Sequence, residues 1–259
     1  MPAPEPLLAA VTSEGMARVF VSGSAGGLGL AAAADLLDQG HEVVIHARSR
    51  SRLSDAGNLL ARGAAAVVGD LSSVEETRGV ADQVNQLGHM DAVIHNAGVY
   101  TGRQILPVNV IAPYVLTALV GRPARLVYLS SGMHRGGRSS LTGLGTPGPR
   151  RAAVSYSDSK LFVTTLAAAV ARRWPEVLSN AVDPGWVPTR MGGPGAPDNL
   201  ELGHVTQVWL AVSTDPGART SGGYWYHQRQ HPPHPAVNDE QFQDQLLGAL
   251  ARLTGVGLP

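Results

Sequence analysis

The sequence predicts a single α/β domain built on a doubly wound parallel sheet. Short, continuously apolar runs alternate with longer segments of helical composition, the pattern of a parallel sheet covered by helices on both faces. The chain has 259 residues, is 44% hydrophobic and 15% charged, and so resembles a globular domain in size and composition. No change of composition marks an interdomain linker, so residues 1–259 are treated as one domain.

Six apolar runs are predicted to be strands. They are residues 18–23, 41–47, 64–70, 90–98, 124–131 and 178–185, each dense in Val, Ile or Leu. A helix is predicted to follow the first strand and to end at Gly40, because glycine commonly terminates helices. Three stretches rich in Gly and Pro, residues 134–151, 191–199 and 227–239, are predicted to be loops of the same domain.

Charge and cysteine content narrow the range of functions. The 20 acidic and 20 basic residues give a net charge of zero, which argues against a nucleic-acid or anionic-membrane partner. With no cysteine, the chain has no disulfide, thiol nucleophile or thiolate metal site. The histidine-rich stretch 227–234 lacks acidic ligands, so we expect a solvated loop and no metal site. No apolar run approaches a membrane span and the first residues make a poor signal peptide, so a cytoplasmic location is expected.

The first chemical motif is the stretch SGSAGGLG, which joins the first predicted strand to the first predicted helix. Its Gly23, Gly27 and Gly29 permit a tight turn and a close approach of the backbone to a pyrophosphate, while the helix N-terminus offers free N–H groups. The lysine of a P-loop is missing, which disfavours a nucleoside triphosphatase. The motif therefore predicts a dinucleotide site, with a ligand-free glycine turn as the alternative.

The stretch after the second predicted strand favours NADP(H), with NAD(H) as the alternative cofactor. Folds that prefer NAD usually carry Asp or Glu there to bind the ribose 2′-hydroxyl, whereas Arg suits the 2′-phosphate of NADP. This chain reads IHARSRSR, with no carboxylate, and His46 occupies a position where Asp is common in NAD-preferring proteins. We choose Arg48, nearest the strand end, over Arg50 and Arg52 as the phosphate ligand. The alternative is a solvated, basic first turn of a helix.

The stretch YSDSK contains Lys160, the only lysine among the 20 basic residues. It opens a segment of helical composition, so Tyr156 and Lys160 are predicted to lie one turn apart on the same face. A nearby ammonium favours the phenolate and is expected to lower the pKa of Tyr156, which would make the pair a general acid and base. The alternative is a surface tyrosine beside a solvated lysine.

Six motifs in this order resemble the classical short-chain dehydrogenases/reductases. They are SGSAGGLG, HNAG at 95–98, VN at 108–109, LSS at 129–131, YSDSK at 156–160 and DPGWVPT at 183–189. The resemblance implies a Rossmann fold of about seven strands in the order 3-2-1-4-5-6-7, and a homo-oligomer, either dimer or tetramer. The long spacing from Ser131 to Tyr156, with the stretch SSGMHR, is similar to the retinol-dehydrogenase-like branch.

The resemblance also implies the roles of the site residues. The family's catalytic Asn, Ser, Tyr and Lys match Asn109, Ser131, Tyr156 and Lys160: Tyr156 exchanges the proton, Lys160 supports it and binds the nicotinamide ribose, Ser131 holds the substrate oxygen and Asn109 supports a relay water. Ser131 could alternatively satisfy local backbone groups, and Asn109 could cap a helix. Cofactor-binding residues implied by the resemblance are Gly23, Gly27, Leu28, Gly29, Arg48, Asp70, Leu71, Asn96, Ala97, Gly98, Tyr156, Lys160, Pro184, Gly185, Val187 and Thr189.

Two departures from the family affect the substrate cleft. The segment between Gly98 and Asn109 is short, so a helix that borders the cleft looks largely deleted. The segment before Tyr156 is long, and residues about 132–155 and 190–206 are expected to frame the substrate as loop and lid. The large apolar residues of the remaining segments either line the cleft or belong to the core; they are Trp186, Met191, Trp209 and Tyr224.

The sequence thus predicts an NADP(H)-dependent oxidoreductase that transfers a hydride between nicotinamide and a carbonyl or secondary alcohol. An apolar lid with few charges favours a lipophilic small molecule as the partner. One alternative is an NADP-binding redox-sensing regulator that has the fold but little turnover. A sugar-nucleotide epimerase or dehydratase is a third hypothesis, disfavoured by chain length and glycine spacing.

Overall fold

One sheet forms the centre of the computed structural model, which describes residues 15–144 and 153–259. In those ranges the sheet has eight strands in the order β3-β2-β1-β4-β5-β6-β7-β8. The first seven pair in parallel, which confirms the predicted doubly wound fold and its strand order. The strands are β1 (Arg18–Val21), β2 (Glu42–Ala47), β3 (Ala65–Val68), β4 (Ala92–His95), β5 (Arg125–Leu129), β6 (Leu178–Asp183), β7 (Tyr224–Tyr226) and β8 (Arg229–His231).

The eighth strand corrects the expectation that residues 227–239 form only a loop. β8 pairs antiparallel with β7, and the chain reverses through His227 and Gln228, whose φ angles are 47° and 57°. Two successive residues with positive φ match the right-handed twist of a tight hairpin. Their sequence lacks the Gly or Asn that usually marks such a turn, which is why the pattern predicted a loop.

Helices cover both faces of the sheet. They are α1 (Gly27–Asp38), α2 (Gly57–Ala61), α3 (Val74–Gln86), α4 (Ala112–Leu119), α5 (Tyr156–Arg173), α6 (Val205–Val212) and α7 (Glu240–Thr254). A π-helical turn, Pro107–Ile111, leads directly into α4. The predicted stop of α1 is confirmed, since Gly40 follows it with a φ of 84°. None of the helices in the described part of the chain has the length and apolarity that crossing a bilayer requires.

Neighbouring residues of the central strands point into two different cores. Phe20, Val93 and Leu126 belong to one core, which contains the buried residues of α3, α4, α5 and α7. Val21 and Ile94 belong to the other, beneath α1 and α6. This alternation is the period-two geometry of a strand that is buried on both faces. Because the first seven strands are parallel, their carboxyl ends lie together at one edge of the sheet.

The helix α5 is enclosed by its own chain. Every residue from 158 to 170 is buried, although only one side of a helix can face the sheet. The other side is covered by α7, where Phe162 and Phe242 pack with their ring centroids 6.3 Å apart. Packing from both sides fixes the position of α5 against β5 and β6, and so fixes the tyrosine and the lysine of its first turns.

Candidate active site

The predicted site residues lie where the parallel strands end, the edge at which open α/β sheets bind ligands. The glycine loop follows β1, Arg48 follows β2 and Asp70 lies two residues after β3. The stretch 96–98 follows β4, Ser131 follows β5, and the stretch 184–189 follows β6. The topology therefore brings the sequence motifs, which lie between residues 22 and 189, to a single edge.

The glycine loop leaves the start of α1 open. Gly26 is the N-cap of α1 and makes no side-chain cap hydrogen bond, so no side chain satisfies the first N–H groups of the helix. A Cβ atom built on Gly26 or Gly27 would meet nothing within 4 Å, whereas one on Gly23 would lie 2.8 Å from the Cα atom of Ala97. Gly23 and Gly27 have φ angles of 66° and 58°, which favour glycine. Uncapped N–H groups facing open space suit the pyrophosphate of a dinucleotide.

Ser22 and Asn96 tie the glycine loop to the end of β4. The Ser22 hydroxyl oxygen accepts hydrogen bonds from the backbone N–H groups of Asn96 and Ala97, at 3.0 and 3.1 Å. The Asn96 amide donates in return to the carbonyl oxygens of Ser22 and Gly23, at 3.0 and 3.1 Å. The contacts of Asn96 and Ala97 thus hold the glycine loop against the end of β4. The hydroxyl that accepts these bonds belongs to Ser22, which stands where the family has a threonine.

His46 holds the glycine loop from the other side. Its Nδ1 accepts a hydrogen bond from the Gly23 N–H at 3.0 Å, so its Nε2 carries the proton and donates to the Gly69 carbonyl oxygen at 2.9 Å. Burial lowers the pKa of His46, which keeps the imidazole neutral as this arrangement requires. His46 is therefore a structural support beneath the loop, a role that its position in the sequence did not indicate.

Arg48 and Asp70 lie at the ends of the adjacent strands β2 and β3. Arg48 is exposed and forms no ion pair with any residue of the ranges 15–144 and 153–259, whereas Arg52 pairs with Asp55 at 2.8 Å. An unpaired guanidinium at this edge is available to a phosphate group. Asp70 is half-buried, and its Oδ1 accepts a hydrogen bond from the Ser72 N–H at 2.9 Å, while Leu71 is buried beside it.

The start of α5 sets the position of Tyr156. Ser155 and Asp158 form a reciprocal capping box, in which each side chain accepts a hydrogen bond from the backbone N–H of the other. Arg138 contacts Asp158 at 2.7 Å. Tyr156 is consequently the first residue of the helix, and the Lys160 Nζ lies 5.5 Å from the centroid of its ring. The S-x-x-D pattern was a readable signal for this helix start.

Lys160 is buried beneath the site. Its Nζ donates a hydrogen bond to the Leu129 carbonyl oxygen at 2.8 Å, and a Cβ atom on Gly98 would lie 3.7 Å from this nitrogen. Burial lowers the pKa of Lys160 to about 8, and the negative charge of Asp183 partly opposes that shift. The ammonium form therefore prevails at neutral pH, but the pKa of Lys160 lies closer to neutral pH than that of a lysine on the surface.

The pKa of Tyr156 moves in the direction opposite to the one expected from its lysine neighbour. Burial raises it to about 12, against a lowering contribution from the hydrogen bond with Ser131, and the negative charge of Asp183 raises it further. Desolvation disfavours the phenolate, while the hydrogen bond of the Lys160 Nζ atom goes to the Leu129 carbonyl oxygen and not to the phenol. The phenol of the free protein is therefore protonated at neutral pH and suited to donate a proton.

The hydroxyl groups of the two serines after β5, Ser130 and Ser131, have different partners. The Ser130 hydroxyl is buried against the Thr164 hydroxyl at 2.5 Å, while Ser131 lies half-buried and hydrogen-bonded with Tyr156. The Ser131 oxygen also accepts a hydrogen bond from the Met133 N–H at 3.2 Å, which caps the short turn Gly132–Gly136. The structure thus brings Ser131, and not Ser130, to the tyrosine.

Asn109 lies within the π-helical turn that precedes α4, and so does not cap a helix. Its Oδ1 accepts a hydrogen bond from the Val99 N–H at 2.8 Å, and its Nδ2 donates to the Val99 carbonyl at 2.9 Å and to the Ser159 hydroxyl at 3.0 Å. π-helical turns are frequent at functional sites. The side chain joins the short segment 96–104, which contains no helix, to α5 next to Lys160.

The segment after β6 approaches the glycine loop. A Cβ atom on Gly203 would lie 2.8 Å from Leu28 Cδ2 and 3.1 Å from Val187 Cγ1, so the two apolar side chains converge there. Gly185 has a φ of 83° and donates its N–H to Asp183 Oδ1 at 3.0 Å. Pro184 and Thr189 are half-buried in the same segment. The residues expected at the nicotinamide end thus border the residues expected at the pyrophosphate.

A doubly wound sheet, an open glycine loop at the start of α1, and a buried Tyr–Lys pair with an adjacent serine together define an NAD(P)-dependent oxidoreductase. Comparison with known proteins shows the family. The family model for short chain dehydrogenases matches residues 17–130. The chain is 38% identical over 259 residues to an uncharacterized oxidoreductase of Emericella nidulans, covering 94% of this chain and 99% of that protein. The chain belongs to the short-chain dehydrogenase/reductase family.

Two further comparisons concern the branch of the family and the fold. The chain is 28% identical over 207 residues to retinol dehydrogenase 14 of Mus musculus, covering 67% of this chain and 62% of that protein, in agreement with the retinol-dehydrogenase-like branch. The complex of RhlG with NADP from Pseudomonas aeruginosa superposes with a TM-score of 0.65 at 22% identity, covering 81% of this chain and 94% of that one. The second likeness concerns the fold alone.

His95 replaces the first asparagine of the family's N-N-A-G motif and is wholly buried. Its ring stacks on Tyr128 with centroids 4.6 Å apart and its Nε2 lies 3.1 Å from the Thr117 hydroxyl, while its Nδ1 has no hydrogen-bond partner among the described residues. Burial lowers the pKa of His95 to about 3. An unfolded histidine binds a proton below pH 6.5, so the folded chain loses stability as pH falls from 6.5 toward 3.

We predict that His95→Asn reduces this loss of stability in acid. The free energy of unfolding of the wild type should fall by up to about 1.4 kcal/mol more per pH unit than that of the variant between pH 6 and pH 4. Urea unfolding at several pH values measures the difference. Replacing the exposed His89 by Asn is the control, and pH curves for His95→Asn that run parallel to the wild type would contradict the prediction.

Proposed function

We propose that this oxidoreductase reduces the carbonyl group of a lipophilic small molecule with NADPH. The observation that carries the proposal is the state of Tyr156: a buried phenol with a pKa of about 12 that is protonated at neutral pH, next to the Ser131 hydroxyl. A carbonyl oxygen needs such a donor when its carbon receives a hydride.

The protein's own residues would handle the oxygen and the proton. Ser131 would donate a hydrogen bond to the substrate oxygen, and Tyr156 would transfer its phenolic proton to that oxygen. The resulting phenolate would be stabilised by the Lys160 ammonium beneath it until a proton arrives from solvent, with Asn109 supporting the relay beside Lys160. NADPH, when bound, supplies the hydride that the carbonyl carbon accepts. The product is a secondary or primary alcohol.

The cofactor would lie along the carboxyl edge of the sheet. The uncapped start of α1, with Gly23, Gly27, Leu28 and Gly29, would bind the pyrophosphate. Lys160 would bind the nicotinamide ribose, Arg48 the 2′-phosphate and Asp70 the adenine. Other residues expected to line the cofactor are Leu71, Asn96, Ala97, Gly98, Tyr156, Pro184, Gly185, Val187 and Thr189. The RhlG complex, which has the same fold, contains NADP, and this likeness in fold supports NADP(H) as the cofactor. NAD(H) is the alternative cofactor.

A lipophilic substrate is supported by the large apolar side chains that are left exposed. Tyr100, Met133, Trp186 and Met191 are 48%, 46%, 60% and 45% exposed, on the segments that follow β4, β5 and β6. Tyr100 meets the ring of Tyr156 edge-on, with centroids 4.8 Å apart, so an aromatic wall lies beside the proton donor. One relative's name specifies retinol, an apolar alcohol.

The segments 132–155 and 190–206 are proposed to frame this substrate as loop and lid. Residues 145–152 of the loop lie outside the described residues. The lid carries Leu200 and Leu202, both exposed, before the chain enters α6.

A homo-oligomer stays a prediction. Because α7 covers the outer side of α5, any interface near α5 would involve α7. The cytoplasmic location expected from the sequence also stays a prediction.

We predict that Tyr156→Phe lowers the turnover number for carbonyl reduction by about 100-fold to 10000-fold, because the proton donor is lost. NADPH oxidation is followed over a panel of ketones, aldehydes and quinones. Tyr114→Phe is the matched control, since its hydroxyl donates to the Val256 carbonyl near the C-terminus and lies outside the site. Full activity of Tyr156→Phe would overturn the mechanism. Tight NADPH binding with no substrate turned over would favour the NADP-binding regulator.

We predict that Arg48→Ala weakens NADPH binding by about 10-fold to 100-fold and leaves NADH binding unchanged, because only NADPH carries the 2′-phosphate. Fluorescence titration of each cofactor measures both dissociation constants. Arg52→Ala is the matched control, since this nearby arginine is paired with Asp55. An unchanged ratio of the two constants in Arg48→Ala would remove Arg48 from the cofactor site.

A further inference from the structure

A buried histidine, His134, follows Ser131 by three residues and is fully enclosed. Its Nδ1 lies 2.8 Å from the Ser131 carbonyl oxygen, and its backbone N–H donates to the same oxygen at 3.0 Å. On the other side of the ring, Nε2 accepts a hydrogen bond from the His234 N–H at 3.0 Å. The imidazole therefore joins the serine expected to hold the substrate oxygen to the segment that follows β8.

The two partners of the His134 ring define where its proton lies. A backbone N–H can only donate, so Nε2 carries no proton, and Nδ1 is the nitrogen that donates to the Ser131 carbonyl. Burial lowers the pKa of His134, which keeps the ring in this neutral form. Each ring nitrogen thus has a partner of the matching kind.

Contacts with two further elements hold this imidazole in place. The ring of Tyr224, the first residue of β7, packs on it with centroids 4.4 Å apart, and the Tyr224 hydroxyl donates to Asp183 Oδ2 at 2.9 Å. Arg135, the next residue of the turn, donates to the Pro232 carbonyl oxygen at 3.0 Å. Residues 232–234, part of the histidine-rich stretch, are therefore bound to the turn after β5 at two points.

These bonds act on the conformation of Ser131. Its backbone is extended, with φ −169° and ψ 153°, and the two N–H groups of His134 fix the direction of its carbonyl. Because the peptide plane after Ser131 turns with ψ, a fixed carbonyl also fixes the side chain relative to the turn. The Met133 N–H, which donates to the Ser131 Oγ at 3.2 Å, orients the hydroxyl. That hydroxyl is the group hydrogen-bonded with Tyr156.

We propose that His134 is a positioning residue, which holds the Ser131 hydroxyl where it meets Tyr156 and the substrate oxygen. Residues 232–234 are the support on which the imidazole rests. A displacement of about 1 Å at a reacting group can cost about 100-fold in rate, so a loosened Ser131 would stabilise the transition state poorly. The effect on turnover rests on the proposed function, whereas the effect on the position of Ser131 does not.

Two substitutions separate the two hydrogen bonds of the ring. Asparagine has an amide nitrogen at the position of Nδ1 and can still donate to the Ser131 carbonyl, whereas glutamine reaches the position of Nε2 and can still accept from the His234 N–H. We expect kcat for carbonyl reduction to fall by about 10-fold to 100-fold in His134→Gln and to stay within about 3-fold of the wild type in His134→Asn. The affinity for NADPH should not change. Equal kcat values for the two variants would overturn the proposal.

Two further variants distinguish positioning from a general loss of stability. His41→Gln also removes a histidine contact with the backbone, the bond from the Ala17 N–H to Nδ1 at 3.1 Å, and lies at the opposite edge of the sheet. It should leave kcat unchanged. A residue that acts through Ser131 has nothing to position once the hydroxyl is removed, so His134→Gln should lower kcat no further in a Ser131→Ala background. A second fall of the same size in that background would contradict the proposal.

Crystal structures of the wild type and of the two His134 variants decide its role without any substrate. The Ser131 Oγ should lie at least about 1 Å further from the Tyr156 hydroxyl in His134→Gln, and at its wild-type position in His134→Asn. If the glutamine variant does not fold, His134→Leu, which fills the space without a donor, takes its place with the same expectation. An unmoved Ser131 would refute positioning whatever the kinetics. A wild type that binds NADPH but reduces no carbonyl would count against the proposed function, while the position of Ser131 would still decide the role of His134.

Discussion

The ammonium group of Lys160 is buried between β5, α5 and the segment after β4, and the other features of the active site follow from that burial. A charge removed from water needs nearby acceptors and a compensating charge. The Leu129 carbonyl oxygen supplies an acceptor at 2.8 Å, and the negative charge of Asp183 partly opposes the fall in pKa that burial causes. A Cβ atom on Gly98 would lie 3.7 Å from the Nζ atom, so the segment after β4 passes within contact distance of the ammonium.

The packing that buries Lys160 also determines the state of Tyr156. The same helix turn that brings the two side chains together places the phenol under cover, and burial raises the pKa of Tyr156 to about 12. The hydrogen bond with Ser131 opposes that shift and the negative charge of Asp183 adds to it. The phenol of the free protein is therefore protonated at neutral pH, as the proposed carbonyl reduction requires.

The apolar runs of the sequence predicted a doubly wound parallel sheet, because strands buried on both faces leave a local pattern. The strand order and the convergence of the motifs came from the resemblance to the short-chain dehydrogenases/reductases. The sequence did not predict β8, which depends on two non-glycine residues with positive φ. It did not reveal the structural role of His46, which depends on the contact with Gly23, and it gave the wrong direction for the pKa of Tyr156. Asp183 and Tyr224 were overlooked as partners, since 41 positions separate them in the chain. Burial and long-range contacts decide these features.

The most direct test of the central claim is the turnover number of Lys160→Arg with a carbonyl substrate and saturating NADPH. An arginine keeps the positive charge, but its planar guanidinium cannot occupy the space of a compact ammonium beneath Tyr156. Circular dichroism should show an unchanged fold. We expect the turnover number to fall at least about 100-fold. A turnover number close to that of the wild type would contradict the account, since any cation at position 160 would then suffice.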